Sequence, residues 1–335
     1  MLLAAATGGE PDGGIMKLVT FDVPGGEQHI GALLADGERI VDLTASSDVP
    51  AFRDMLSLID GGEAALDRAR ALLARPRSGV AVARQDVRLR APLPVPRQMR
   101  DFLAFERHLR QARVNRHIAG GPPGEVSDPD KVDVPRVWYE QPLYYKCNRF
   151  SVAGPGDDVL WPSYARFLDY ELEIGMVIGR TGRNIAHENA RAHIFGYCIF
   201  NDVSARDAQY REMPGQLGPA KGKDFDTGNV LGPWLVTADE IADPYDLAMT
   251  ARVNGELWSA GHSGTIHHKF EDMIVHVSRE ETVHAGEFFG SGTVGNGCGI
   301  ELGRGLKLGD TVELEIAGLG VLRNRIVASA DAGGS

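Results

Sequence analysis

From Tyr144 onward the chain is written in short runs of β-branched and aromatic residues separated by glycine-bearing turns: YYKCNRFSVAGPG, LDYELEIGMVIGR, IFGYCIFNDVSA, GPWLVT, LAMTARVNGELWSAG and TVELEIAGLGVLRNRIV. Runs of this length, bounded by turn residues, specify strands. The 41 glycines among 335 residues stand well above the ordinary usage of ~7 %, and they favour a turn-rich sheet over a helical bundle. The VNGE segment at 253–256 is the clearest hairpin signal. One helix, near 268–280, interrupts the strands.

The front of the chain reads differently. Met16 opens KLVTFDV, HIGALLA and IVDLT, a meander with GGEQ and DGER as its turns. Residues 50–75 change to helical spacing, which makes 16–95 a small N-terminal α+β domain. APLPVPR at 91–97 carries three prolines and suits an extended crossing into a second unit, 98–330. Residues 1–15 lack a basic n-region and read as a disordered leader. Between Asp101 and His117, the spacing of Phe102, Phe105, Leu109 and Ala112 predicts one helix, with Asp101 in its first turn. The glycine- and proline-rich stretch that follows is a long surface loop, and 110–137 reads as a lid. The fold class is α+β, dominated by sheet.

Subtracting 46 acidic from 35 basic side chains gives a net charge of −11, which repels a phosphate backbone and argues against nucleic acid as a partner. No run of ~18 apolar residues exists to cross a membrane. Cys147, Cys198 and Cys298 are an odd number with no zinc spacing, which fits a reducing cytoplasm.

Glu171 and Glu173 lie two apart in YELEIGMVIG, so a strand sends both carboxylates to one face. An exposed edge with solvated acids is one reading; a cation between buried acids is the other. Asp202 ends the apolar strand IFGYCIF, and sequential strands usually lie side by side. Three converging carboxylates make an oxygen-rich site suited to Mg²⁺, Mn²⁺ or Ca²⁺ rather than zinc. His267 and His268 suit surface or capping roles. Gly290 to Gly295 satisfies GxGxxG, but NGCGIELGRG follows instead of a helix, so a dinucleotide site is not implied. The GKD at 222–224 lacks the phosphate-loop context, and GHSGT at 261–265 lacks the last glycine of a nucleophile elbow.

The ordered blocks FLDYELEIGMVIGR, FGYCIFNDVSARDAQ, GKDFDTGNVLGPWLVT, VNGE and GSGTVGNG resemble the fumarylacetoacetate hydrolase family over roughly residues 98–327. The resemblance implies a mixed β-sandwich roll, usually a homodimer, with a divalent metal at its open end. It implies Glu171, Glu173 and Asp202 as metal ligands and Asp101 as a fourth, seven residues before a catalytic His108. Two turns of a helix would put Asp101 and His108 on one face. Lys223 matches the family lysine beside the metal, where an ammonium offsets the excess carboxylate charge. Arg206, Gln209, Tyr145 and Thr293 match substrate contacts, although Arg206 reads equally as an ion-pair partner of Asp207 or Glu212. The acid that orients the histidine in some members has no aligned counterpart after GSGTVGNGCG; Glu301 sits farther along than the pattern places it.

The leading expectation is a metal-dependent hydrolase that cleaves a C–C bond in an acylpyruvate or related β-diketo acid, with His108 activating water. The alternatives are an isomerase, tautomerase or decarboxylase of a 2-oxo acid on the same metal-enolate site, and a non-catalytic metal-binding interaction protein. The six residues Asp101, His108, Glu171, Glu173, Asp202 and Lys223 argue against the last.

Overall fold

The computed structural model describes residues 15–46, 48–124 and 126–329; apart from Ile15, the leader expected at 1–15 lies outside them. Strands β1 (Lys17–Asp22), β2 (Gln28–Leu33) and β3 (Arg39–Asp42) form the meander, and β4 (Ala81–Ala83) extends its edge. Helices α1 (Met55–Asp60) and α2 (Gly62–Ala74) fill the predicted helical interval. Asp54 fixes the start of α1, because its Oδ1 accepts the Ser57 N–H at 2.7 Å.

The rest of the chain supplies β5 (Met99–Phe102), β6 (Tyr144–Lys146), β7 (Asp158–Trp161), β8 (Leu172–Ile178), β9 (Ile194–Asp202) and β10 (Asn229–Thr237). It continues with β11 (Ala248–Val253), β12 (Glu256–His262), β13 (Phe288–Gly290), β14 (Thr311–Ile316) and β15 (Gly320–Ala328). Among the helices that interleave with them are α3 (Glu106–Asn115), α4 (Arg136–Glu140), α5 (Arg206–Glu212) and α6 (Phe270–Ser278). The β11–β12 turn is the expected hairpin, with Asn254 and Gly255 both at positive φ, as a two-residue turn of that twist requires.

One large mixed sheet runs β4-β3-β2-β1-β10-β9-β8-β13-β5-β6, and a five-stranded sheet runs β12-β11-β14-β15-β7. Alternation along the central strands assigns their two faces. On β10, Leu231 and Leu235 pack with α1 residues Leu58 and Ile59, whereas Val230, Trp234 and Val236 join the core that holds Met249, Leu314 and Leu322 of the second sheet. Because both faces are covered, β9 and β10 are buried at every residue and read as unbroken apolar runs. Residues 17–83 therefore share the sheet that carries the candidate site: Leu18 of β1 pairs with Leu235 of β10.

The helix expected over Asp101–His117 is shorter than its periodicity suggests. Met99–Phe102 is a strand, and α3 begins only at Glu106. A long-range partner overrides the local pattern, since Phe288–Gly290 pairs in parallel with Met99–Asp101. Asp101 thus stands on β5 and not in a helical first turn, and the two-turn argument for its proximity to His108 does not apply.

Candidate active site

Asp101, Glu171, Glu173, Asp202 and Lys223 are all buried at the ends of β5, β8 and β9 and in the loop after α5. One ligand oxygen each from Asp101, Glu173 and Asp202 lie within 4.8 Å of one another. Glu171 is held differently: it receives Lys223 Nζ at 2.8 Å, Ser204 Oγ at 2.7 Å, the Thr293 hydroxyl, and an ion pair from Arg206 Nη1 at 2.6 Å. Lys223 Nζ also reaches Asp202 and donates to Ser204 Oγ at 2.6 Å. The Tyr145 hydroxyl donates to Asp202 Oδ2 at 2.7 Å.

Burial, then the charge of Asp202, raises the Asp101 carboxyl well above the ordinary carboxylate range, and burial followed by Asp101 does the same to Glu173. Burial also pushes Glu171 up, but Arg206 and Lys223 outweigh it and hold that carboxyl far below its usual range. Lys223 is its mirror image: burial would lower the ammonium, and Asp202 and Glu171 raise it instead. The cluster thus carries more carboxylates than its two cations neutralise. Asp202 Oδ1, buried and without a hydrogen-bond partner among the described residues, is an acceptor waiting for a donor or a cation. An all-oxygen set with an orphaned acceptor fits a hard divalent ion such as Mg²⁺ or Mn²⁺.

The GSGT segment is a carboxylate holder. A Cβ on Gly290 would lie 2.4 Å from Asp101 Oδ1, so only glycine lets that acid approach. Gly292, at φ +79°, turns its N–H to Glu173 Oε2 at 2.9 Å and Asp101 Oδ1 at 3.3 Å. The Thr293 hydroxyl serves Glu171 and Glu173. Beyond this loop comes a 3₁₀ turn, Ile300–Leu302, and not the helix a dinucleotide site needs.

His108 is buried on α3, with Nδ1 3.4 Å from Glu301 Oε1 and 3.8 Å from Cys298 Sγ. Backbone N–H groups of Asn296 and Cys298 donate to the Glu301 carboxylate at 3.3 and 3.0 Å. Gln111 and Asn115 tie α3 to the same segment. Asp101, His108, Tyr145, Glu171, Arg206, Gln209, Lys223 and Thr293 all line one cavity of about 270 Å³.

Arg206 pairs with neither Asp207 nor Glu212. Its guanidinium meets Asp169 at 2.9 Å as well as Glu171, while Asp207 and Glu212 accept backbone N–H groups instead. Gln209 accepts from Arg206 Nη1 at 3.2 Å. Asp169 is a site residue that the sequence reading missed, although Asp169, Glu171 and Glu173 form an alternating acidic row. Ser204, two residues after Asp202, was missed as well. His267 is exposed and His268 is buried against Trp138, Nε2 donating to the Trp138 carbonyl at 2.6 Å.

The expected lid is strapped down along its length. Arg107, Arg110, Arg113 and Arg116 recur every third residue and reach Asp130, the Val132 and Asp133 carbonyls, and the Pro122 and Pro123 carbonyls. Trp138 of α4 closes the far end, donating Nε1–H to the Leu103 carbonyl at 2.6 Å.

Asp101, Glu171, Lys223 and His108 meet in one cavity at the ends of a mixed sheet, a buried convergence of titratable groups that marks an enzyme's active site. The chain belongs to the fumarylacetoacetate hydrolase family: the model described as fumarylacetoacetate (FAA) hydrolase C-terminal matches residues 98–327. A mitochondrial oxaloacetate tautomerase of Homo sapiens is 33 % identical over 327 residues, which cover 93 % of this chain and 92 % of that protein. The fumarylacetoacetate hydrolase of psychrophilic Exiguobacterium antarcticum superposes with a TM-score of 0.70 at 28 % identity, covering 94 % of this chain and 100 % of that one. A maleylpyruvate hydrolase of Sphingobium sp. SYK-6, solved with manganese(II) and pyruvate, shares the fold at a TM-score of 0.69 and 23 % identity, covering 94 % of this chain and all of that one. The tautomerase is mitochondrial by name, so this likeness does not support the cytoplasm expected from the sequence; Cys147, Cys198 and Cys298 are buried free thiols. No helix among the described residues is long and apolar enough to cross a membrane.

Proposed function

We propose that the chain is a divalent-metal-dependent tautomerase of 2-oxo acids, which moves a proton between C3 and the 2-oxo oxygen of an enolisable substrate such as oxaloacetate. The observation that carries this reading is the similarity to an oxaloacetate tautomerase over nearly the whole chain. The hydrolase expected from the sequence becomes the second reading.

Asp101, Glu173 and Asp202, whose ligand oxygens lie together, would hold the cation along with Glu171, which the family resemblance also implies as a ligand. A bound Mg²⁺ or Mn²⁺ supplies Lewis-acid polarisation of the 2-oxo group. Lys223 keeps a fixed positive charge among the same carboxylates, where it stabilises negative charge developing on the substrate oxygen. With Glu301 beside Nδ1 to hold the proton there, His108 Nε2 would be the base that takes the C3 proton and delivers it to the 2-oxo oxygen. Tyr145 and Thr293 spend their hydroxyls on Asp202 and Glu171, so they hold the ligand acids in place. A C–H bond breaks at C3 and an O–H bond forms at the 2-oxo oxygen, with no C–C bond cleaved.

The His108–Glu301 pair also favours the second reading, because a carboxylate-oriented imidazole is what a water-activating base needs. Both readings are tested on the Mn²⁺-loaded chain. Decay of enol-oxaloacetate absorbance should accelerate, and His108→Ala should lower that rate by about 10²–10⁴-fold while Mn²⁺ binding persists. Mass spectrometry of a β-diketo acid incubation should return the starting mass. Two product acids, without enol acceleration, would replace the tautomerase with the hydrolase.

A further inference from the structure

Three ligand atoms of unlike chemistry meet at His108. Its Nδ1 lies 3.4 Å from Glu301 Oε1 and 3.8 Å from Cys298 Sγ, and Cys298 Sγ lies 3.3 Å from Glu301 Oε2. Around a tetrahedral zinc, with sulfur at ~2.3 Å and nitrogen and oxygen at ~2.0–2.2 Å, such ligand atoms stand roughly 3.3–3.7 Å apart. The triad therefore already has the edges of a zinc tetrahedron. No spacing in the chain announces it, because 190 residues separate His108 from Cys298.

Their surroundings hold the three groups at this spacing. Backbone N–H groups of Asn296 and Cys298 donate to the Glu301 carboxylate, while Gln111 and Asn115 fasten α3 to the same segment. All three residues are buried, where a net charge is costly. A thiolate and a carboxylate cancel the two charges of a divalent ion, and a neutral imidazole adds none. Thiolate and imidazole select Zn²⁺ over Mg²⁺ and Mn²⁺, which suit the oxygen set of Asp101, Glu173 and Asp202. His108 lines the cavity and gives the triad its contact with that space.

We propose that His108 Nδ1, Cys298 Sγ and the Glu301 carboxylate form a second divalent-cation site, one that takes Zn²⁺ and switches the enzyme off. The thiol proton leaves to solvent as the Zn–S bond forms. Zinc also takes the Nδ1 lone pair, so the one proton of the neutral ring moves from Nδ1 to Nε2. A protonated Nε2 has no lone pair with which to take the C3 proton; this consequence rests on the reading of His108 as the base. The carboxylate cluster keeps its own ion throughout.

On the full chain loaded with Mn²⁺, Zn²⁺ should bind at one equivalent, displace no Mn²⁺ by elemental analysis after desalting, and abolish the acceleration of enol-oxaloacetate decay. Co²⁺ in place of Zn²⁺ should raise a thiolate-to-cobalt charge-transfer band. Cys298→Ser should keep the zinc-free rate, lose that band, and need about 100-fold more Zn²⁺ or beyond for half inhibition, since a ligand is worth at least as much as a supporting contact. Should Cys298→Ser fail to fold, a band retained in both Cys147→Ser and Cys198→Ser assigns the thiol. Absence of the band, loss of Mn²⁺ in step with the rate, or a Cys298→Ser chain inhibited at the same Zn²⁺ concentration overturns the site. A Cys298-dependent band with an undiminished rate keeps the site but overturns its inhibition, and with it the reading of His108 as the base. If the zinc-free chain does not turn over oxaloacetate, the tautomerase reading fails and the band alone decides the site.

Discussion

A methyl group on Gly290 would sit 2.4 Å from Asp101 Oδ1, so Gly290→Ala must push that carboxylate away from Glu173 and Asp202. The methyl also meets the buried Phe200 ring at 2.8 Å, so the variant should lose some Tm as well as bind Mn²⁺ about 10–100-fold more weakly, the usual cost of losing support behind a ligand, as read by calorimetry; unchanged affinity would remove Asp101 from the ligand set. At this scale legibility was uneven. The spacing of Glu171, Glu173 and Asp202 showed in the sequence because strand periodicity and a strand end leave local marks. Glu301 could be named but not aligned, since its place beside His108 depends on how the loop from Gly292 to Gly299 folds back on α3. Arg206 carried a visible charge, but its partner Asp169 lies 37 residues away on a neighbouring short strand.

Among the elements, α1 adds an ion pair at its end to the apolar packing of Leu58 and Ile59. Both Arg97 terminal nitrogens meet Asp60, at 2.7 and 2.6 Å, and Arg97 also reaches the Ala285 carbonyl. The Arg97 hydrogen bond holds the Asp60 carboxyl below its ordinary value of 3.8. A carboxyl lowered in the folded state contributes stability above its unfolded value, and that contribution vanishes as pH falls through the folded value. Asp60→Asn should therefore lower Tm at neutral pH and converge with the parent chain once acid protonates Asp60 in the folded state; a constant gap across the titration would assign the loss to packing. The elements that the sequence misread share a cause with this pair. Phe102 and Phe105 carry a helical spacing, yet Phe102 ends a strand, because Phe288–Gly290 arrives from the far end of the chain to pair with Met99–Asp101 and Tyr144 pairs with Phe102 itself. Local pattern sets an element only where no distant strand competes for its backbone.

Taken whole, the molecule has no seam in the large sheet at Pro96. Leu18 pairs with Leu235, and α1 and α2 cover the face formed by Leu231, Leu235 and Phe195. A chain beginning at Arg97 would expose that face and the β10 edge, so it should lose cooperative thermal unfolding and aggregate; a soluble product with a sharp transition would show that the 98–330 unit stands alone. The parallel pairing of Phe288–Gly290 with Met99–Asp101 joins segments 189 residues apart, and the candidate ligands lie on both sides of that join. Non-local pairing of this kind is slow to form, and the cation-binding geometry does not exist until it has formed. Ions that recognise only the finished chain act on the way out of the native state rather than on the way in. Millimolar Mn²⁺ should therefore slow denaturant-jump unfolding and leave the refolding rate unchanged. The protein would then reach its active form at a pace indifferent to metal supply and persist there for a lifetime that the supply controls.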